Sequence, residues 1–235
     1  MNILNGHALV TGAGSGIGRQ LSLAYVRAGV RGITLADVNK DGVAETGKLI
    51  QAEFPNAKVL PLVVDVTDEK SVNDMVEQAL QTFGTLEYAA NAAGVVVKIR
   101  EKSAHVPTDE FDRVMNINAR AVALCMQAEA RVMVKQPRKL TSTYWQDQGR
   151  AQVGSIVNFA SVCGFQAMMN VMPYVASKHA VLGMTRSAAL EHGPEGLRVN
   201  APDEIADSVI FLSSTMSSYV NGVALVADGG KSVLY

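Results

Sequence analysis

The sequence predicts a doubly wound α/β domain: a parallel sheet of about seven strands with helices on both faces. Three observations carry this. Short β-branched runs alternate with longer segments of helical period along the 235 residues. Several short runs are apolar nearly throughout, as in Val59-Leu60-Pro61-Leu62-Val63-Val64, which suits strands buried on both faces. Helical segments lie between the strands, which implies parallel pairing through right-handed crossovers. Neither an internal repeat nor a low-complexity linker divides the chain, so residues 1–235 read as one domain.

In order, the apolar run His7–Thr11 reads as a strand and Gly16–Ala28, of helical period, as a helix. Gly32–Asp37 is a strand, Lys40–Glu53 a helix, Lys58–Val64 a strand and Asp68–Phe83 a helix. Leu86–Ala90 is a short strand, and Thr108–Lys135 keeps helical period long enough to be one long helix. Val153–Phe159 is a strand, Pro173–His192 a helix, Leu197–Asn200 a strand, Pro202–Ser213 a helix and Val223–Val226 a last strand. The polar stretch Gln136–Gln152, which holds Trp145, breaks the rhythm and reads as a solvated surface loop.

Composition narrows the function classes. Lys and Arg number 21 against 22 Asp and Glu, a formal charge of −1, so the basic footprint of a dedicated nucleic-acid binder is missing. Apolar residues at 48% and charged residues at 18% are those of an ordinary folded chain. Cys125 and Cys163 cannot build a multi-disulfide framework, and no zinc-like spacing surrounds them. Residues 1–6 carry no basic, apolar leader, and no run is long enough to span a bilayer. The expectation is a soluble, cytoplasmic protein without a metal.

Thr11-Gly12-Ala13-Gly14-Ser15-Gly16-Ile17-Gly18 lies between the first strand and the first helix. It does not fit G-x-G-x-x-G; it fits G-x-x-x-G-x-G through Gly12, Gly16 and Gly18. The demand is the same: a tight turn, backbone close to a pyrophosphate, and a helix packed hard on its strand. A P-loop is excluded because no Gly-Lys-Ser/Thr follows, and a nucleophile elbow because Ala13 and Ile17 flank Gly14-Ser15-Gly16. Asp37 ends the second strand 19 residues after Gly18, where an acid can bond the ribose hydroxyls of an adenosine. Its charge would repel a 2′-phosphate, which favours NAD over NADP. The plainer alternative makes Asp37 the cap of the helix starting near Lys40.

Tyr174 and Lys178 stand four residues apart in Pro173–His192, so they share one helix face. A free phenol titrates near ~10, whereas a proton-transfer group works best near ~7. A neighbouring ammonium favours phenolate, and closing that gap of ~3 units takes about 4 kcal/mol. The pair alone also occurs by chance on many helices.

Taken together and in order, TGAGSGIG, Asp37, Asp65-Val66, Asn91-Ala92-Ala93-Gly94, Asn118, Ser161, Tyr174 with Lys178, and Asp228-Gly229-Gly230 resemble the short-chain dehydrogenase/reductase family. The resemblance implies a Rossmann-type fold and an NAD-dependent oxidoreductase interconverting a secondary alcohol and a ketone. It implies that Tyr174 is the general acid/base, that Lys178 lowers its pKa and bonds the nicotinamide ribose, and that Ser161 polarises the substrate oxygen. Asn118, rather than the nearby Asn116, would hold a water linking the lysine to solvent. Gly12, Ser15, Gly16, Ile17 and Gly18 would cradle the pyrophosphate, Asp65 and Val66 would meet the adenine, and the Ala92–Gly94 backbone would face the cofactor. Asn91 is grouped with these and would also stabilise the central sheet. Hydride transfer belongs to the nicotinamide. The family likeness further suggests a homodimer or homotetramer built on Thr108–Lys135 and Pro173–His192.

The sequence departs from the family after Asn200. Several tens of residues normally form a substrate lid there, whereas here only Ala201-Pro202 precedes Asp203-Glu204-Ile205. Either the lid is deleted, or the sequence as written skips a stretch; a deletion would admit water to the nicotinamide, which favours the second. Pro202 reads as a first-turn helix proline. Phe165, Met168, Met169 and Met172 lie where relatives line a substrate cleft, and methionines adapt to large apolar ligands. Met at such spacing also serves plain packing or a subunit contact. A dinucleotide-binding scaffold or sensor without turnover is the competing reading. A methyltransferase is a third, in which Tyr174, Lys178 and Ser161 would have no role.

Overall fold

The computed structural model describes residues 3–139, 151–202 and 206–225. Its strands are β1 (His7–Thr11), β2 (Gly32–Asp37), β3 (Lys58–Val63), β4 (Tyr88–Asn91), β5 (Gly154–Asn158), β6 (Leu197–Pro202) and β7 (Ala224–Leu225). The helices are α1 (Gly16–Arg27), α2 (Lys40–Glu53), α3 (Glu69–Phe83), α4 (Thr108–Met115), α5 (Ala121–Met133), α6 (Met172–His192) and α7 (Ala206–Ser213). The strands form one sheet in the order β3-β2-β1-β4-β5-β6-β7, with every neighbouring pair parallel. The order reverses between β1 and β4, and a crevice opens beyond the carboxyl ends of those strands.

Each sheet face buries its own apolar cluster. Leu21 and Tyr25 of α1, Val43 and Ile50 of α2, and Val209 and Leu212 of α7 cover one face. Val72, Met75 and Val76 of α3, Cys125 and Met133 of α5, and Ala188 and Ala189 of α6 cover the other. Local signals set the helix ends. Asp68 caps α3 by accepting from the Lys70 and Ser71 amides, and Gly84 at φ +79° ends it. Asn39 caps α2 by accepting from Gly42 N, so Asp37 is not that helix's cap.

Four sequence expectations are corrected. Thr108–Lys135 is not one helix: a π-helical turn, Asn116–Arg120, separates α4 from α5. Periodicity missed it because such a turn adds about one residue to the winding and leaves both apolar stripes intact. The strand expected at Leu86–Ala90 sits one or two residues later, because the Leu86 N–H and C=O are taken by the Gln136 side chain, at 2.9 and 2.8 Å. Pro202 does not open a helix; it lies in β6 opposite Leu225, and the first described residue of α7 is Ala206. The polar stretch Gln136–Gln152 is not solvated at its end, since Gln152 is buried, bonds the Arg198 guanidinium, and pairs its backbone with Lys139. Trp145, Val226 and Asp228-Gly229-Gly230 lie outside the described residues.

A polar knot ties the sheet centre to α5. The Asn91 amide at the end of β4 donates to Glu129 Oε2 and to Asn158 Oδ1, each at 3.0 Å, and Asn158 donates to Thr185 Oγ1 at 3.0 Å. Burial pushes the Glu129 carboxyl up to about 7, although the Asn91 bond opposes this. Among the described residues, Glu129 Oε1 and Asn91 Oδ1 have no hydrogen-bond partner. A proton on Glu129 supplies the donor this pair lacks.

Because the folded pKa lies above the unfolded value, this carboxyl contributes most stability below about 4.5 and loses it as pH rises through about 7. Glu129→Gln should therefore match the wild type in thermal denaturation at about pH 5 and exceed it by a few degrees at about pH 8.5. A stability difference that does not change with pH would show that Glu129 is ionised throughout.

Candidate active site

The crevice is a cleft of about 620 Å³. Its wall brings together Gly12, Ser15, Gly16, Ile17, Gly18, Asp37, Asp65, Val66, Ala92 and Gly94. The glycines are there because backbone meets backbone. Gly12 has φ +71°, and a Cβ on it would stand 2.8 Å from Ala93 N; a Cβ on Gly18 would run into Gly12 O. Ser15 precedes α1 without a side-chain cap bond, and no acid occupies the helix's first turn. The amides and positive dipole end of α1 therefore face the cleft, a donor set that suits a pyrophosphate. Asp37 Oδ2 accepts from Gly14 N at 3.0 Å and Oδ1 from Asn39 N at 2.9 Å, which fixes the carboxylate at the cleft edge. Asp65 is exposed and holds Thr67 through its N–H and hydroxyl at 2.9 and 2.7 Å. Asn91 is the exception: it is buried and absent from the cleft wall, and its amide N–H groups turn inward to Glu129 of α5 and Asn158 of β5.

A second group of side chains lies beside the Gly94 end of this wall. Lys178 reaches from α6 to the end of β5, where its ammonium donates to Phe159 O at 2.7 Å and lies 5.6 Å from the Tyr174 ring centroid. Only 7% of Lys178 is exposed. A Cβ on Gly94 would lie 3.9 Å from Lys178 Nζ and 3.3 Å from Asn118 Oδ1, so the two groups abut. Ser161 leads a short turn, Val162–Gly164, and accepts from Cys163 N at 3.2 Å. Gly164 lets that turn press against α6, since a Cβ there would stand 3.1 Å from Lys178 O.

Asn118 sits inside the π-helical turn and is fully buried. Its amide brackets Val95, donating to Val95 O and accepting from Val95 N at 2.8 Å each. It also donates to Ser177 Oγ at 3.2 Å, and Ser177 donates to Tyr174 O at 2.7 Å. Asn116 instead lines the cleft and takes a bond from Arg120 at 3.4 Å. The sequence reading missed Ser177; a serine three residues after Tyr174 on the same helix is a signal for such a back-bond. Phe165, Met168, Met169 and Met172 are 43, 51, 87 and 36% exposed. They are not core residues.

The short chain dehydrogenase model matches residues 6–203 of the chain. The protein belongs to the short-chain dehydrogenase/reductase family. A short-chain dehydrogenase anuF from Penicillium roqueforti is 36% identical over 270 aligned positions, covering 98% of this chain and 97% of the relative. A crystal structure of levodione reductase superposes with a TM-score of 0.87 at 29% identity, covering 98% of both chains. An NAD⁺-bound xylitol dehydrogenase follows at 0.83 and 25% identity, covering 94% of this chain and 96% of the other. The protein is thus an oxidoreductase of a family that uses NAD(P) and acts on small molecules. In the sequence of this short-chain dehydrogenase/reductase only residues 203–205 stand between Pro202 of β6 and Ala206, the first described residue of α7. Among its described residues no helix is long and apolar enough to cross a membrane.

The glycine turn makes a testable pair. Gly18→Ala should weaken NADH binding by more than about tenfold in a fluorescence titration, because the helix cannot seat on its strand. Gly47→Ala, whose Cβ would make an ordinary 3.6 Å contact with Val59, should leave NADH binding alone and stabilise α2 by up to about 1 kcal/mol. Equal binding by the two variants would show that the turn is not the dinucleotide cradle.

Proposed function

We propose that this enzyme interconverts a secondary alcohol and a ketone on a hydrophobic small molecule, with Tyr174 as the general acid and base and NAD as its preferred cofactor. The observation that carries the reading is the buried Lys178 ammonium beside the Tyr174 ring, both at the Gly94 end of the cleft. A nicotinamide dinucleotide, when bound, supplies or accepts the hydride.

In this reading the turn from Gly12 through Ser15, Gly16, Ile17 and Gly18 binds the pyrophosphate with its amides. Ala92 and Gly94 face the cofactor with backbone, and Asp65 and Val66 meet the adenine. Asp37 keeps lone pairs on both carboxylate oxygens after serving Gly14 and Asn39, so it can still accept from two ribose hydroxyls. A phosphate there would meet a fixed negative charge, which is why NAD is preferred.

The Tyr174 hydroxyl gives its proton to the carbonyl oxygen in reduction and takes it back in oxidation. A buried cation close to the ring lowers the cost of the phenolate, and burial strengthens that attraction. Ser161 holds and polarises the substrate oxygen, and Asn118 supports the proton path by keeping Val95 and the α6 turn in place. The uncovered Phe165, Met168, Met169 and Met172 supply the apolar surface for the substrate. A homo-oligomer packed through α5 and α6, in the cytoplasm, completes the reading.

Purified protein should bind NADH more tightly than NADPH, and Asp37→Ala should narrow the gap; equal affinities in the wild type would remove Asp37 from cofactor selection. Tyr174→Phe should abolish turnover of hydrophobic ketones, followed by nicotinamide absorbance, while dinucleotide binding persists. Wild-type protein that binds NADH yet turns over no ketone or secondary alcohol, and so does not differ from Tyr174→Phe, would leave the scaffold reading in its place.

A further inference from the structure

The segment after β4 is held at five points although it belongs to no strand. Asn118 brackets Val95 by two bonds of 2.8 Å. Arg113 of α4 donates to Val96 O at 3.0 Å. Glu110, one turn earlier on α4, accepts from Lys98 N at 2.5 Å. Val97 turns inward and packs with Val114 and Val171, and the partly buried Tyr174 and Val175 lie against the same cluster. Val96, next to the buried Val97, is 65% exposed, and Ile99 farther along is 44% exposed. Glu110 and Arg113 are themselves joined in a two-pronged pair, Arg113 Nε to Oε2 at 2.8 Å and Nη2 to Oε1 at 3.0 Å. A forked guanidinium–carboxylate pair holds direction as well as distance. Hydrogen bonds from Arg113 keep the Glu110 carboxyl low, at about 2, against the cost of burial, so the pair persists across the neutral range.

We infer that the Glu110–Arg113 pair is a positioning clamp that holds residues 95–99 as a rigid apolar rim, with Val96 and Ile99 as substrate-facing side chains. This deepens the ketone/alcohol reading and rests on it. Exposed valine and isoleucine on an unpaired segment cost solvation, and Glu110 and Arg113 of α4 together with Asn118 of the π-helical turn hold that segment in place. The clamp also matters to Tyr174, because the Val97 cluster against which the ring packs moves with the segment. This rim, together with Phe165, Met168, Met169 and Met172, offers exposed apolar surface to a bulky hydrophobic substrate. Specificity for large apolar ketones over small ones then comes from a wall that does not move.

Glu110 is not in the cleft wall, although its partner Arg113 is, so Glu110→Ala breaks the clamp without removing a cleft side chain. Amide hydrogen exchange should accelerate by about tenfold or more at Lys98 and its neighbours. For a bulky ketone, kcat/KM should fall about tenfold, chiefly through KM, with NADH affinity within about twofold of wild type. A small ketone should lose far less. Glu110→Gln keeps an acceptor for Lys98 N and should recover part of both effects, which also guards against a simple loss of folding. Unchanged exchange at residues 95–99 overturns the clamp, whatever the kinetics. Faster exchange with wild-type kcat/KM, or equal losses on bulky and small ketones, overturns its role in specificity. Failure of the oxidoreductase reading looks different: wild-type protein then turns over neither ketone, while the exchange result still decides the clamp.

Discussion

The buried ammonium of Lys178 is the contact on which the site depends. A charge taken out of water is costly unless it is bonded, and Lys178 meets that cost partly on the carbonyl of Phe159, just past β5. To reach it, α6 must lie close to the carboxyl end of the sheet. That requirement explains Gly164, which lets the preceding turn press on α6, and the bracket of Asn118 around Val95. Tyr174 and Ser161 take their places from these constraints.

The same economy governs the other buried charges, and each is answered differently. Arg198 of β6 is buried, and its guanidinium donates to the carbonyls of Leu212, Ser213 and Ser214 at the end of α7 and of Ser217 beyond it. Burial lowers its pKa to about 10, so it remains charged at neutral pH and complements the negative end of the α7 dipole. It thereby fastens α7 to β6 where the connection between them is shortest. Burial works against the charge of Glu87 as well, but bonds from His7 and Lys139 outweigh it and hold the carboxyl at about 2. Glu129 has the weakest answer, a single amide, and is the carboxyl that burial pushes up.

Those charges are buried, whereas several apolar residues after β4 and before α6 are exposed. Val96 and Ile99 follow β4, and Phe165, Met168 and Met169 precede α6, which opens on the exposed Met172. The proposed rim joins clamped backbone to adaptable methionines, an arrangement suited to ligands whose shape is irregular but whose surface is apolar.

The fold and the family were legible in the sequence because they rest on local rules. Apolar runs, helical periods and the spacing of Gly12, Gly16 and Gly18 act within a few residues, and strands such as His7–Thr11 and Gly32–Asp37 appear with their expected bounds. The residues Tyr174, Lys178 and Ser161 could be picked out by their order along the chain. Other features depend on partners far away in sequence, and only the tertiary structure decided them. The π-helical turn aims Asn118 at Val95, yet it is silent in a periodic pattern. Asn91 turned inward because Glu129 and Asn158 wait there, and Pro202 stayed in a strand because β7 pairs with it. Asp37 gave up the helix cap to Asn39 and took Gly14, a choice set by two elements meeting at one point. Local chemistry proposes which groups can act; packing between distant segments decides which of them meet.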